Sequence, residues 1–99
     1  MAQIVWTMRA ADDLEEIAQY IARDNREAAG SLVKRVLASV DHFVEFPFMG
    51  RMVPELQRAR YREVIVYPCR VIYTPEKDAV IIQRIIRGER KIGRDILSA

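Results

Sequence analysis

The hydrophobic pattern changes period at Pro47, and that change constrains the fold more than any single motif. Before it, Leu32, Val33, Val36, Leu37, Val40, Phe43 and Val44 recur three and four residues apart, the spacing of a helix with one core-facing stripe. A shorter stripe of the same kind, Leu14, Ile17, Ala18 and Ile21, lies upstream. Thr7 is positioned to cap it, and Asp12, Asp13, Glu15 and Glu16 are expected in its first turns, where the helix dipole favours negative charge. "RDNRE" separates the stripes, with Asn25 as the cap of the second helix. So short a break predicts an antiparallel helical hairpin. Gly30, inside the second helix, points to close helix packing there.

After Pro47 the apolar residues crowd into short β-branched runs. "FPFMGRMVPEL", with Pro47, Gly50 and Pro54, reads as a connecting loop. Strands are predicted at about Tyr61–Val66, Cys69–Thr74 and Ala79–Ile86, with "PEKD" turning between the last two. "QIVWT" adds a strand ahead of the helices. The predicted class is α+β: an N-terminal strand and an antiparallel helical hairpin packed on one face of a mainly antiparallel four-stranded sheet. The 99 residues suit one domain, 1–99, with a single core. The basic tail "GERKIGRDILSA" is expected to form a terminal turn or a frayed helix.

Several function classes drop out. Cys69 is the only cysteine, which excludes an internal disulfide. "MAQIVWTMRA" lacks the basic start and apolar stretch of a secretory signal, and the longest apolar runs are four residues, so a cytoplasmic chain without membrane association is predicted. There is no Cys/His cluster of metal spacing, no glycine-rich phosphate loop and no nucleophile–base pair, so neither metal nor cofactor is expected. His42, the one histidine, is expected as a helix-surface or partly buried side chain and not as a catalyst. The net charge of +2 is uneven: residues 1–50 hold five Lys/Arg against eight Asp/Glu, residues 51–99 eleven against six. A basic C-terminal half suits an anionic partner, or an ordinary solvated surface.

Arg62 and Arg70 stand inside otherwise apolar strands. With the turn centred on Pro68, Val66 would oppose Arg70, Val64 would oppose Ile72 and Arg62 would oppose Thr74. Arg62, Val64, Val66, Arg70 and Ile72 would then share one face. Ile65, Tyr67, Val71 and Tyr73 would lie under the helices, with Glu63 near an edge. Tyr61, Tyr67 and Tyr73 are expected to be packing residues. Helices cover only one side of the sheet. A mixed arginine and β-branched face on the other side would be covered by a partner with apolar and acidic groups, or by the chain's own C-terminal segment.

The element order, with "IVWT" leading into "AADDLEEIAQYIARDN", then "PFMGRMVPEL", "YREVIVYPCRVIYT" and "RGERK", resembles the RelE/ParE superfamily of bacterial toxins from Gln3 to about Arg94. "YREV", "RVIY" and P-x-x-G-R-x-V-P-E-L bring the resemblance closer to the ParE branch. It implies the toxin of a type II toxin–antitoxin pair, an inhibitor of DNA gyrase and not an enzyme. Neutralisation would come from the C-terminal segment of a cognate antitoxin, ParD-like or other, docking on Val64, Val66, Arg70 and Ile72 and on any uncovered edge of the helical hairpin. Arg90, Lys91 and Arg94 would meet the target, and no sequence-specific DNA binding is expected of the chain alone.

The alternative is a ribosome-dependent messenger RNA endoribonuclease of the RelE kind, with Arg62, Arg70 and Arg90 holding phosphate. Such nucleases typically add a second basic residue on the strand of Arg62 and a Tyr or His soon after the Gly88–Arg90 stretch. This chain has Val64 at the first place and Ile92 to Ile96 across the second. Arginine neutralises phosphate but is a poor general acid or base. No catalytic residue is therefore assigned. A plain RNA- or protein-binding module would need only the basic face.

Overall fold

The computed structural model describes residues 3–56, 58 and 60–88. Strand β1 (Gln3–Trp6) leads into helices α1 (Met8–Ala22) and α2 (Arg26–Glu45), followed by β2 (Arg51–Met52), β3 (Arg62–Val66), β4 (Cys69–Pro75) and β5 (Ala79–Arg87). The strands form one sheet in the order β1-β5-β4-β3-β2. β1 runs parallel to β5, and the helical hairpin carries the chain from β1 to β2 at the opposite edge; the other pairings are antiparallel. The sheet is thus mixed and five-stranded, not four-stranded. The extra strand, β2, lies inside the stretch expected to be loop.

Both predicted caps form. Thr7 Oγ1 accepts from the Ala10 amide at 3.0 Å, and Asn25 Oδ1 accepts from the Ala28 amide at 3.0 Å. Thr7 also ties the helix to the sheet, its amide donating to the Ile82 carbonyl at 3.1 Å. Because α1 begins at Met8, its first turn holds no acid, and Asp13 is turned into the protein. Gly30 does not mark close packing: a Cβ there would meet nothing within 4 Å.

The main core lies between the hairpin and the sheet. Leu32, Val36, Val40 and Phe43 of α2 meet Val66, Cys69, Val71, Tyr73, Val80, Ile82 and Ile85, with Leu14, Ile17 and Ile21 of α1 packed alongside. Each such side chain contributes about 1.5–3 kcal/mol on burial. A register shift at Ile72/Tyr73 lets Ile82 and Ile85 both join this core although they stand an odd number of positions, three, apart.

The β3–β4 hairpin corrects the expected register. Its loop is two residues, Tyr67 and Pro68, so Val66 pairs with Cys69, Ile65 with Arg70, Val64 with Val71, Glu63 with Ile72 and Arg62 with Tyr73. A one-residue shift of pairing exchanges the faces. Val64 and Val66 therefore belong to the helix-side core, whereas Arg70 and Ile72 share the opposite face with Glu63. Ile65 and Tyr67, expected under the helices, are 55% and 80% exposed. Glu63, expected near an edge, is buried.

That opposite face is not open at its centre. Val53, Ile72 and Ile86 form a second, small core, with Leu56 and Tyr61 packed against it. Among the described residues it is the segment between β2 and β3 that covers the sheet here. The predicted C-terminal turn or helix lies outside the described residues.

Candidate functional site

Arg70 is buried among carboxylates. Its Nε and Nη2 donate to Glu63 Oε1 at 2.9 and 2.6 Å, while Nη1 and Nη2 donate to Glu55 Oε2 and Oε1 at 2.8 and 2.7 Å. Arg51 Nε donates to the second Glu63 oxygen at 2.7 Å. β4 supplies Arg70, the adjacent β3 supplies Glu63, and the turn after Val53 brings Glu55 over the sheet. Hydrogen bonding from Arg70 lowers the Glu55 carboxyl to about 2, against the opposing effect of its own desolvation. The Arg70 guanidinium is raised, first by its hydrogen bonds to Glu55. Both forks of the guanidinium are occupied by the protein's own carboxylates.

Tyr73 organises a second cluster. Its hydroxyl donates to the Pro47 carbonyl at 2.9 Å and accepts from the Gly50 amide at 2.8 Å, and its ring stacks on Phe43 with centroids 4.1 Å apart. Burial pushes the phenol's pKa up. Arg62 Nη1 donates to the Gly50 carbonyl at 3.0 Å, and its guanidinium lies 5.1 Å from the centre of the Phe48 ring. Gly50 is required here, because a Cβ would lie 2.7 Å from the Glu63 carbonyl oxygen and 2.8 Å from the Tyr73 hydroxyl.

The three sequence motifs therefore meet in two clusters, one on each face of the sheet. "YREV" gives Arg62 and Glu63, "RVIY" gives Arg70 and Tyr73, and the P-x-x-G-R-x-V-P-E-L stretch gives Pro47, Gly50, Arg51 and Glu55. They bond to one another and fasten the chain at Pro47, Gly50, Arg51 and Glu55 to the sheet. Asp13 and Arg84 form another internal pair, with bonds of 2.7 and 3.0 Å, and Asp13 also accepts from the Ile85 amide at 3.0 Å.

Arg62 and Arg70 are not brought together as a phosphate-binding pair. Arg62 reaches the 47–50 loop, Arg70 reaches Glu55 and Glu63, and the two side chains leave opposite faces of the sheet. Arg90, Lys91 and Arg94 lie outside the described residues. Of the residues expected to receive an antitoxin, Val66 and Ile72 are buried, Val64 is half-buried and Arg70 is buried and bonded to Glu55 and Glu63. Tyr73 packs as expected, and Tyr61 packs against the small core, but Tyr67 projects into solvent. His42 is on the helix surface. Among the described residues there is no group of three or more His, Cys, Asp or Glu that could hold a metal, and no helix is long and apolar enough to cross a membrane.

The uncovered edge of the hairpin, expected to take part in docking, carries an apolar groove whose lining residues the sequence did not single out. Trp6, Ala11, Leu14, Ala18, Val33 and Leu37, with Glu15 the one charged residue among them, line about 320 Å³ between β1 and the two helices. Its only sequence signal is that the α2 stripe is wider than one core contact needs, with Val33 and Leu37 beside the buried Leu32 and Val36.

Comparisons with known proteins agree with this architecture. A family model described as the ParE toxin of the type II toxin–antitoxin system, parDE, matches residues 4–92. Toxin RelE2 of Caulobacter vibrioides is 40% identical over 91 residues, covering 91% of this chain and 99% of that protein. Putative toxin Y4kP of Sinorhizobium fredii is 43% identical over 49 residues, covering 50% of this chain and 51% of that protein. Among solved structures, the chromosomal ParDE TA system from P. aeruginosa has the same fold, with a TM-score of 0.73, 24% identity and coverage of 90% of this chain and 98% of that one.

Proposed function

The chain belongs to the ParE toxin family of type II toxin–antitoxin systems, and on that premise we propose that it arrests growth in the cytoplasm by binding DNA gyrase, without cleaving RNA. The observation that carries this reading is the Glu55–Arg70–Glu63 ion pair. A ribonuclease needs cations free to meet phosphate and neighbouring groups able to move protons. Arg70 is held by two carboxylates at 2.6–2.9 Å, and Arg62 serves Gly50 and Phe48 on the other face. His42 is away on the surface of α2.

The partner that silences the toxin is a cognate antitoxin, through a disordered C-terminal segment that folds on binding. The hairpin groove supports that mode: its walls are apolar and run between two helices, which suits an amphipathic helix laying in its own apolar face. This moves the docking surface away from Val66, Arg70 and Ile72.

Production of the chain without antitoxin is expected to give filamentous cells with DNA damage and intact messenger RNA, and the purified protein is expected to inhibit supercoiling by gyrase. One relative bears a RelE name, so RNA must be followed in the same cultures. Codon-dependent cleavage of messenger RNA in the presence of ribosomes would overturn the reading in favour of the endoribonuclease.

A further inference from the structure

The loop between α2 and β2, together with β2 itself, displays apolar side chains that the fold does not bury. Phe46, Phe48, Met49 and Met52 are exposed by 58, 67, 48 and 46%, four such residues within seven positions. Single exposed apolar side chains need no explanation, but a run of them does. The backbone beneath them is fixed. Tyr73 bonds to Pro47 and Gly50, Arg62 bonds to the Gly50 carbonyl and underlies Phe48, and the Met49 amide donates to the Phe46 carbonyl at 3.1 Å. A knob held in one conformation loses little entropy when it binds.

The charge around the knob narrows what can meet it. Glu45 is exposed at its start, Glu55 is bound to Arg70, and Arg51, Arg58 and Arg60 are exposed at its end. Nucleic acid would find cations at one end only, since Arg62 lies beneath Phe48 and the exposed Phe46, Phe48 and Met49 carry no charge along the rest of the run. Phenylalanine and methionine together suit an apolar pocket better than a stack of bases, and methionine, aromatic residues and arginine are the types that protein interfaces favour. A projecting, preorganised knob complements a folded partner with a fixed concavity, whereas a segment that folds on binding suits the hairpin groove.

We infer that residues 46–52 form the knob by which the toxin seats in its target, a folded protein presenting an apolar pocket rimmed by carboxylates. This rests on the reading above that the chain acts by binding a protein. The test uses the full chain induced without antitoxin, comparing wild type with Phe48→Ser/Met52→Ser and, separately, Arg58→Glu, which leaves the anchors of the loop intact. Both variants should raise survival at least tenfold while binding the antitoxin within twofold of wild type. Undiminished killing by both overturns the inference, as does a parallel loss of antitoxin binding, which would give the knob to the antitoxin. Wild-type self-association abolished by the variants, messenger RNA cleavage lost with the knob, or a wild-type chain that does not arrest growth also overturns it. Supercoiling assays on the same proteins separate the two readings: growth arrest by wild type without gyrase inhibition sinks gyrase as the target, and the survival of the variants still decides the knob.

Discussion

At the scale of single residues, Arg70 has a structural role that its place in an apolar strand did not disclose. Removing one partner of a buried ion pair leaves the other charge uncompensated, at a cost of about 3–5 kcal/mol. Glu63 is fully buried but keeps Arg51, so Arg70→Ala is expected at the lower end, about 3 kcal/mol, in urea unfolding of the purified chain. A change within about 0.5 kcal/mol would return Arg70 to the solvated role of an ordinary surface arginine. Glu55 gives the same cluster an acid response. Its carboxyl is lowered from 4.5 to about 2 in the folded protein, so its stabilisation is complete above about pH 4.5 and is lost as the pH falls through 2. Glu55→Gln should therefore be less stable than wild type at pH 7, with the two stability curves converging between pH 4.5 and 2; parallel curves would show that the pair contributes nothing. That an arginine inside a strand needed explaining was legible in the sequence. Its partners were not, because Glu55 is 15 residues away and reaches Arg70 only through the turn after Val53.

At the scale of elements, the two glycines make opposite predictions. Gly50 is enclosed by the Glu63 carbonyl and the Tyr73 hydroxyl, so Gly50→Ala must displace backbone and is expected to cost about 1–3 kcal/mol. Gly30 is surrounded by open space within a helix, and Gly30→Ala should stabilise by about 1 kcal/mol. Thermal unfolding of both variants, moving in opposite directions, checks the pair; a loss of stability in Gly30→Ala would mean that the hairpin packs more tightly at that point. Helices and long strands were legible from period and caps, to within a few residues at each end. β2 was not, because two residues carry no periodicity. The β3–β4 register was missed through loop length: treating Pro68 as the centre of a three-residue loop shifts the pairing by one and moves Val64 and Val66 off the face they occupy.

At the scale of the whole molecule, the change of hydrophobic period at Pro47 and the order of elements made the α+β architecture legible, and with it the family. They could not locate an interaction surface, since the motifs that identify the family are consumed in holding the chain at Pro47, Gly50, Arg51 and Glu55 to the sheet. What remains for partners is the outside of the hairpin and the projecting loop. If the hairpin groove receives the antitoxin, toxicity and neutralisation are separable by mutation. Leu37 tests this, because it lines the groove yet is exposed, so that Leu37→Asp leaves the buried stripe of Leu32, Val36 and Val40 untouched. An apolar side chain buried at an interface is worth about 1.5–3 kcal/mol, and a carboxylate in its place adds a desolvation cost. At about 1.4 kcal/mol per decade, the antitoxin should bind Leu37→Asp at least tenfold more weakly by titration calorimetry. The variant should arrest growth as wild type does and continue to do so when the antitoxin is supplied. Full neutralisation of Leu37→Asp at wild-type affinity would instead put the antitoxin on another surface, the exposed end of the β3–β4 hairpin around Ile65 and Tyr67 being the next one the fold offers.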